Sequence, residues 1–362
     1  ESLLTLRTVL ERLGAGFENL PAVIPPGDTG AGEDVLLEAA ERMHDNFPYF
    51  HPLYAGQMLK PPHPVARLAY AMSTWINPNN HALDGGRASS QLEREAVAGI
   101  AGMFGWESFL GHLCGGGTMA NLEALWVAGQ TNPGKTVLAS QQAHYTHERI
   151  SRVLGLAFEP VPCDRLGRMD PEALASRLET GGVGTVVGTT GTTGNGAVDP
   201  LPEILELRER YGFRLHVDAA YGGYFTLIDE LSPATRRVFD VLPQADSIVI
   251  DPHKHGLQPY GCGCVLFRDP GVGRFYKHDS PHTYFSSSDL HLGEISLECS
   301  RPGASAVALW ATQKLLPLVR GGEFAQRLTL SRRAALDLYA RLQADDRFLA
   351  AIPPELDIVT WV

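Results

Sequence analysis

The feature that most limits the fold of this chain is a regular alternation of helical and β-type patterns from Gly111 onward. Stretches with helical spacing separate short apolar runs, and strands are predicted at residues 136–139, 158–161, 185–188, 214–217, 247–250 and 264–267. This alternation predicts an α/β fold in which helices cover a mostly parallel sheet. Ligands of such folds bind beyond the carboxyl ends of the strands, so functional residues are expected directly after strands.

The regions outside this alternation are predicted to be mainly helical. Further helices are predicted at residues 1–20, 33–46, 64–75, 90–104, 304–316 and from the Gly321-Gly322 break to about residue 342. The first could pack on its own domain or on a second subunit, and Ser89 or Ser90 is the expected N-cap of the fourth. Residues 356–362 are predicted to form a strand that opens a further domain.

The chain of 362 residues exceeds what one compact core usually holds, so we expect a large domain with smaller pieces. The predicted parts are an N-terminal helical segment (1–56), a large α/β domain (57–318) and the start of a truncated C-terminal domain (319–362). Since the chain begins at Glu1, a removed leader stays an open alternative.

Composition excludes several classes of partner. A formal net charge of -11 argues against nucleic acid and anionic membranes, which both require a basic surface. No apolar run reaches the length of a membrane span. The five cysteines lack zinc-type CxxC pairs, so we expect reduced thiols, no metal site and a cytoplasmic protein.

Lys254 is the lysine whose position suggests chemistry. Of the 30 lysines and arginines, five are lysines, namely Lys60, Lys135, Lys254, Lys277 and Lys314. Lys254 follows the predicted strand 247–250 in the sequence Asp-Pro-His-Lys-His-Gly, and a lysine amine can form a Schiff base. On its own, a surface-loop lysine would be the simpler interpretation.

Three other features follow predicted strands or open helices. The run Cys-Gly-Gly-Gly-Thr at 114–118 leads into a helix, which suits a phosphate, although a tight turn explains it equally well. His144 could stack on an aromatic ring or cap a helix. Asp218 ends an apolar strand, where it could pair with a protonated pyridine nitrogen or cap a helix. A polar loop at 191–200 lies at the same predicted rim. Together these are the requirements of pyridoxal 5'-phosphate.

The motifs GGGT, QAH, GTTxxGAxDP, HVDAAY and DPHK, in this order, resemble the group II pyridoxal-phosphate-dependent amino-acid decarboxylases, which have the aspartate-aminotransferase fold. The resemblance covers roughly residues 51–310. It implies that Lys254 forms the Schiff base, that Asp218 pairs with the pyridinium nitrogen and that His144 stacks on the ring. The other cofactor-binding residues that it implies are Gly116, Gly117, Thr118, Thr193, Ala220, Asp251 and His253.

The resemblance also implies substrate contacts and a homodimer with shared active sites. Gln57, in HPxYxxQ, and Arg301 match substrate-site residues of the family, and Tyr284, or else His291, is the expected proton donor. The family often has asparagine and an aromatic residue where this chain has Asp251 and His255, which leaves the role of Asp251 open. Gln57 favours an acidic substrate, whereas the DPHK region is more like microbial tyrosine and aspartate decarboxylases.

Other functions fit parts of the same sequence. An aminotransferase or carbon–carbon lyase would use the same fold and cofactor. Residues 129–136 match the P-loop pattern G-x-x-x-x-G-K-[ST], but a helix is predicted before them and a strand after them, which is the reverse of a true P-loop. His144 and His147 form an HxxH pair, which is one residue short of the spacing on zinc peptidase helices.

Overall fold

A computed structural model of the chain describes residues 1–21, 30–51, 53, 54, 56, 58, 60–81, 85–277, 295–350 and 352–362. Within these residues the strands are β1 Leu110–Cys114, β2 Thr136–Ser140, β3 Phe158–Val161, β4 Val183–Thr189, β5 Arg214–Asp218, β6 Ser247–Ile250 and β7 Gly263–Phe267. The α-helices are α1 Ser2–Ala15, α2 Gly30–Arg42, α3 Pro64–Thr74, α4 Arg87–Met103, α5 Gly117–Thr131, α6 Thr146–Val153, α7 Pro171–Glu179, α8 Leu201–Tyr211, α9 Pro233–Asp240, α10 Gly303–Leu315 and α11 Glu323–Gln343.

The described strands form one sheet in the order β1-β7-β6-β5-β4-β2-β3. Strands β2 to β6 pair in parallel, and β7 is antiparallel to both β1 and β6. All seven residues of β4 are buried, as expected for a strand with helices on both faces. The prediction of an α/β fold with a mostly parallel sheet is confirmed.

Local sequence signals explain where several helices begin and end. The carboxylate of Asp170 accepts hydrogen bonds from the backbone N–H groups of Glu172 and Ala173, so it caps α7 ahead of Pro171. Helix α8 ends at Gly212, whose φ of 68° is in the left-handed region that favours glycine. These signals fix the connections that carry the chain back to the same edge of the sheet.

One strand was missed, and two predictions about single elements are wrong. Strand β1 was not predicted, because Gly111 and His112 interrupt its apolar pattern. Helix α4 begins at Arg87 and has Gly86 as its N-cap, so Ser89 and Ser90 lie inside its first turn. Residues 356–362 form no strand, and the fully buried Leu356 packs into the main hydrophobic core.

The N-terminal region is the most exposed part of the described chain. Helix α1 buries none of its side chains, and its only extensive packing is against α3. Among the helices that the structure describes, none combines the length and the apolar character needed to cross a membrane. Helix α1 thus packs on α3 of its own chain, and its exposed surface is available to a second subunit.

Candidate active site

A cavity of about 640 Å³ opens at the carboxyl ends of β4, β5 and β6. The predicted cofactor-binding residues that line it are Gly116, Gly117, Thr118, His144, Thr193, Asp218, Ala220, Asp251, His253 and Lys254. They come from five separate stretches of sequence. The structure thus brings together every residue of that predicted set, at the edge of the sheet where the strand order predicted a ligand.

The glycine run forms the floor of the cavity at the start of α5. Gly116, with φ 148°, is the residue before the helix, and Gly117 is the first helical residue. A Cβ on Gly117 would lie 2.7 Å from Oδ2 of Asp251, and one on Gly116 would lie 3.4 Å from the ring of His253. Glycine therefore keeps this helix start open, so its free N–H groups can face an anion.

Asp218 lies at the end of β5 and is 5% exposed. Its Oδ2 is 2.9 Å from Nε2 of His147 and accepts a hydrogen bond of 3.2 Å from the side-chain amide of Asn121. Its Oδ1 accepts a hydrogen bond of 3.1 Å from the backbone N–H of Ala220. Groups on α6, on α5 and in the turn after β5 therefore hold this carboxylate in place.

A buried chain of polar groups continues behind Asn121. The amide oxygen of Asn121 is 2.8 Å from Nε2 of His216, and Nδ1 of His216 is 2.9 Å from the hydroxyl of Ser247. Burial lowers the pKa of His216 to about 3, so its ring is neutral. With Nε2 protonated, His216 donates to Asn121 and Asn121 donates to Asp218, so the donors point toward the carboxylate.

These donors decide the charge of Asp218. Burial alone would raise the pKa of its carboxyl group, but the hydrogen bond and charge of His147, the charge of Lys254 and the Ala220 N–H outweigh it. The pKa of Asp218 is consequently held well below its usual range. This side chain is therefore a carboxylate at neutral pH, which suits a partner that must stay protonated.

Lys254 projects from the turn that follows β6. Its Nζ is 3.1 Å from Oδ2 of Asp251, which is also 3.6 Å from Nε2 of His253. Oδ1 of Asp251 is buried and has no hydrogen-bond partner among the described residues. Burial raises the pKa of Asp251, and the charges of Lys254 and His253 offset only part of that effect. The amine therefore faces a carboxyl group that can exchange a proton with it.

His144 lies two residues before α6, which begins at Thr146. The hydroxyl of Thr146 is 2.8 Å from Nδ1 of His144, which fixes the plane of the ring at the wall of the cavity. Burial lowers the pKa of His144, so the neutral imidazole is favoured. A flat neutral ring in a fixed plane can stack on an aromatic ligand.

Arg301 is not among the described residues that line the cavity, so its predicted contact with substrate stays a prediction. Its guanidinium is 4% exposed and lies 2.5 Å from the Glu93 carboxylate and 2.6 Å from the carbonyl oxygen of Leu113. A buried charge needs such partners, so this arginine joins α4 to β1. The predicted residues Gln57, Tyr284 and His291 lie outside the described residues.

The two weaker motifs also have clear positions. Residues 129–136 join the end of α5 to the start of β2, so the reversed order inferred for the P-loop match is confirmed. His147, the second histidine of the HxxH pair, points at Asp218. Sequence reasoning missed His147, Asn121 and His216 as parts of the site. Asn121 and His216 could have been signalled by their polar side chains in otherwise apolar stretches, whereas His147 lies in a polar stretch that gives no such signal.

The cavity has the donors and the space that pyridoxal phosphate requires. The open glycine helix start and Thr118 suit the phosphate, the ionised Asp218 suits the ring nitrogen, and the Lys254 amine suits the aldehyde. The fit of two residues is conditional, because a second anion beside a phosphate must be protonated, paired or displaced. They are Asp251 and Glu298, which lines the cavity and accepts a hydrogen bond of 2.9 Å from the Gly115 N–H.

Comparisons with known proteins agree with this chemistry. The family model described as "Pyridoxal-dependent decarboxylase conserved domain" matches residues 128–361. A "Probable L-tyrosine/L-aspartate decarboxylase" of Methanothermobacter thermautotrophicus is 30% identical over 311 residues, with 84% of this chain and 82% of that protein covered. An "L-tyrosine decarboxylase" of Levilactobacillus brevis is 28% identical over 407 residues, with 84% of this chain and 65% of that protein covered.

Solved structures share the fold. Mouse CSAD in its apo form aligns with a TM-score of 0.82 at 24% identity, covering 99% of this chain and 76% of that chain. Oryza sativa TDC, solved with PLP and tryptamine, aligns with a TM-score of 0.77 at 18% identity over 94% of this chain and 84% of that chain. The family match, the relatives and the cavity identify the cofactor as pyridoxal 5'-phosphate and the reaction class as carboxy-lyase. The chain therefore belongs to the pyridoxal-dependent decarboxylase family.

Proposed function

We propose that this protein decarboxylates an L-amino acid and that Lys254 is the residue to which its cofactor is attached. The observation that carries the proposal is the position of the Lys254 amine, in one cavity with the glycine helix start and the ionised Asp218. When bound, pyridoxal phosphate supplies an aldehyde that bonds to amines and a ring that accepts electrons from the breaking bond.

The side chains of the cavity divide the work around that group. Asp218 holds a proton on the ring nitrogen, since a buried carboxylate with three donors stabilises a neighbouring cation. His144 orients the ring by stacking on its face. Lys254 can pass a proton to Asp251 across 3.1 Å when its amine must be neutral to react.

Tyrosine is the substrate that the described cavity supports best. Among the described residues that line it, Lys254 is the one lysine or arginine, and it is needed for the cofactor. A side-chain carboxylate would lack a cation there. Tyr145, Tyr260 and Met58 instead supply aromatic and apolar surface. We therefore place tyrosine ahead of aspartate, the two substrates that the names of the relatives suggest.

The test is CO2 and amine release, with added pyridoxal phosphate, from tyrosine, aspartate, glutamate, tryptophan, phenylalanine and histidine. We expect release from tyrosine that Lys254→Ala abolishes, with loss of the bond to the cofactor that borohydride can reduce. Lys314→Ala is the matched control, because Lys314 lies on α10 near Glu95 and outside the cavity. Keto-acid formation without CO2 would instead indicate an aminotransferase.

We also propose a cytoplasmic homodimer with shared active sites. Large apolar side chains are open in the N-terminal region, where Leu3 is 81%, Phe50 75% and Leu53 87% exposed. A second copy of the chain is the partner that would cover such a surface. The thiols of all five cysteines are free, which suits a reducing compartment. Light scattering at working concentration should give twice the mass of the chain, and a monomer would contradict the proposal.

A further inference from the structure

The C-terminal segment, residues 352–362, carries a buried carboxylate behind the active-site cavity. The side chain of Asp357 is 1% exposed, although the segment around it forms no helix or strand. Its neighbour Leu356 is fully buried in the main core and lies close to Gly191 and Gly222. The segment is therefore packed against the loops that surround the site.

Asp357 contacts two residues that flank the site in sequence. Its Oδ1 accepts a hydrogen bond of 2.5 Å from the hydroxyl of Tyr221, which is three residues after Asp218. Its Oδ2 is 3.1 Å from Nε2 of His255, which directly follows Lys254. One carboxylate thus holds both the turn after β5 and the turn after β6.

The same carboxylate also binds two more distant elements. Oδ2 is 3.3 Å from Nζ of Lys60, which precedes α3, and accepts a hydrogen bond of 2.6 Å from the hydroxyl of Ser331 on α11. Nδ1 of His255 is 3.0 Å from the carbonyl oxygen of Tyr221, so the two turns are also tied to each other. Five parts of the chain therefore meet at one anion.

The charge at this point is fixed by its surroundings. Burial would raise the pKa of Asp357, but His255, Lys60 and Ser331 outweigh burial and hold that pKa well below its usual range. Both ring nitrogens of His255 face oxygen acceptors, which a doubly protonated ring satisfies. Loss of the carboxylate would leave buried donors and cations without a partner.

We propose that Asp357 is a positioning residue of the decarboxylase site, which holds the turns of Lys254 and Asp218 in the arrangement that binds the cofactor. The inference rests on the proposed roles of Lys254 and Asp218. It makes the C-terminal segment a part of the active site without any contact to the cofactor. His255 occupies the position at which the family often has an aromatic residue, and its ring pairs with the carboxylate of Asp357.

The test compares Asp357→Asn with Glu355→Gln in protein prepared without cofactor and titrated with pyridoxal phosphate. Glu355 is a matched control, because it anchors the same segment through Arg168, the Val198 N–H and Thr235 but contacts neither turn. We expect cofactor affinity to fall about tenfold or more in Asp357→Asn and to stay within about twofold in Glu355→Gln. Thermal unfolding should show a similar loss of stability in both variants.

Equal losses of affinity in the two variants, or none in Asp357→Asn, would overturn the proposal. A double variant distinguishes loss of this pair from general damage to the fold. If Asp357 and His255 act through one interaction, Asp357→Asn combined with His255→Gln should bind cofactor no more weakly than Asp357→Asn alone. Additive losses would also overturn it. Lys254→Ala in the same titration tests the proposed function separately. If this variant still forms a bond to the cofactor that borohydride can reduce, the proposed role of Lys254 is refuted, whatever the result for Asp357.

Discussion

Two buried carboxyl groups line the same cavity, and their surroundings shift their pKa values in opposite directions. Asp218 ends β5 and Asp251 follows β6, and they are 5% and 2% exposed. Donors reach both oxygens of Asp218, whereas Oδ1 of Asp251 has no partner among the described residues. The pKa is lowered in Asp218 and raised in Asp251.

The comparison shows that neighbouring donors and charges, rather than depth, determine which carboxyl group is charged. Burial disfavours the ionised form of both, and the hydrogen bond and charge of His147, the charge of Lys254 and the Ala220 N–H outweigh it in Asp218 alone. Asp218 therefore adds stability above the ordinary aspartate pKa of about 4, and that stability is lost as pH falls through the lowered pKa. Asp251 has the opposite sign, because its contribution is present at low pH and is lost as pH rises through the raised pKa.

The largest effect should follow from Asp218→Asn, which removes the charge and keeps the shape. Breaking a buried ion pair costs roughly 3 to 5 kcal/mol, so kcat/KM should fall about 10²- to 5 × 10³-fold. Steady-state kinetics on the substrate found in the panel would measure this. Thermal unfolding as a function of pH should show the advantage of the wild type shrinking as pH falls below about 4. A kinetic loss below tenfold would make Asp218 an ordinary polar residue.

An intermediate effect should follow from His147→Leu, because Asp218 then loses its nearest donor, at 2.9 Å. Hydrogen bonds to charged groups are worth roughly 1.5 to 3 kcal/mol, which predicts a fall of about 10- to 100-fold in kcat/KM. His147→Gln retains an N–H donor and should recover part of the loss. If both variants behave alike, His147 acts by packing, and the contrast between the two carboxylates would have to rest on Asn121 and Ala220.

The sequence predicted one of the two carboxylates better than the other. Asp218 was predicted because an acidic residue at the end of an apolar strand is visible in the pattern. Its charge could not be predicted, because His147 and Asn121 reach it from other helices across 71 and 97 residues. Periodicity shows which face of an element is buried but not which distant side chains meet there.

The same limit applies to the surroundings of Arg301, the predicted substrate residue. Arg301 was predicted from its motif, whereas its ion pair with Glu93 spans 208 residues and depends on β1, a strand that the pattern did not reveal. The α/β alternation, in contrast, is a local signal repeated many times, so the fold and the edge that carries the cavity followed from it. Asp357 shows the same limit. Its segment was predicted to be a strand, and its contacts with distant side chains could not be read from the pattern.

The smallest effect should follow from Asp251→Asn, and it should depend on pH. We expect kcat/KM to change less than tenfold, because Asn keeps a donor and an acceptor at the glycine helix start. As pH rises, wild-type Asp251 ionises near the predicted phosphate site, so its cofactor affinity should fall relative to the variant. Lys254 and His253 face this group in both proteins, so the ratio of the two affinities from pH 6 to about pH 9 isolates the carboxyl group. A ratio that stays constant over this range would mean that Asp251 keeps one charge state throughout. The opposite pKa shifts of Asp218 and Asp251 would then apply only to the protein without cofactor.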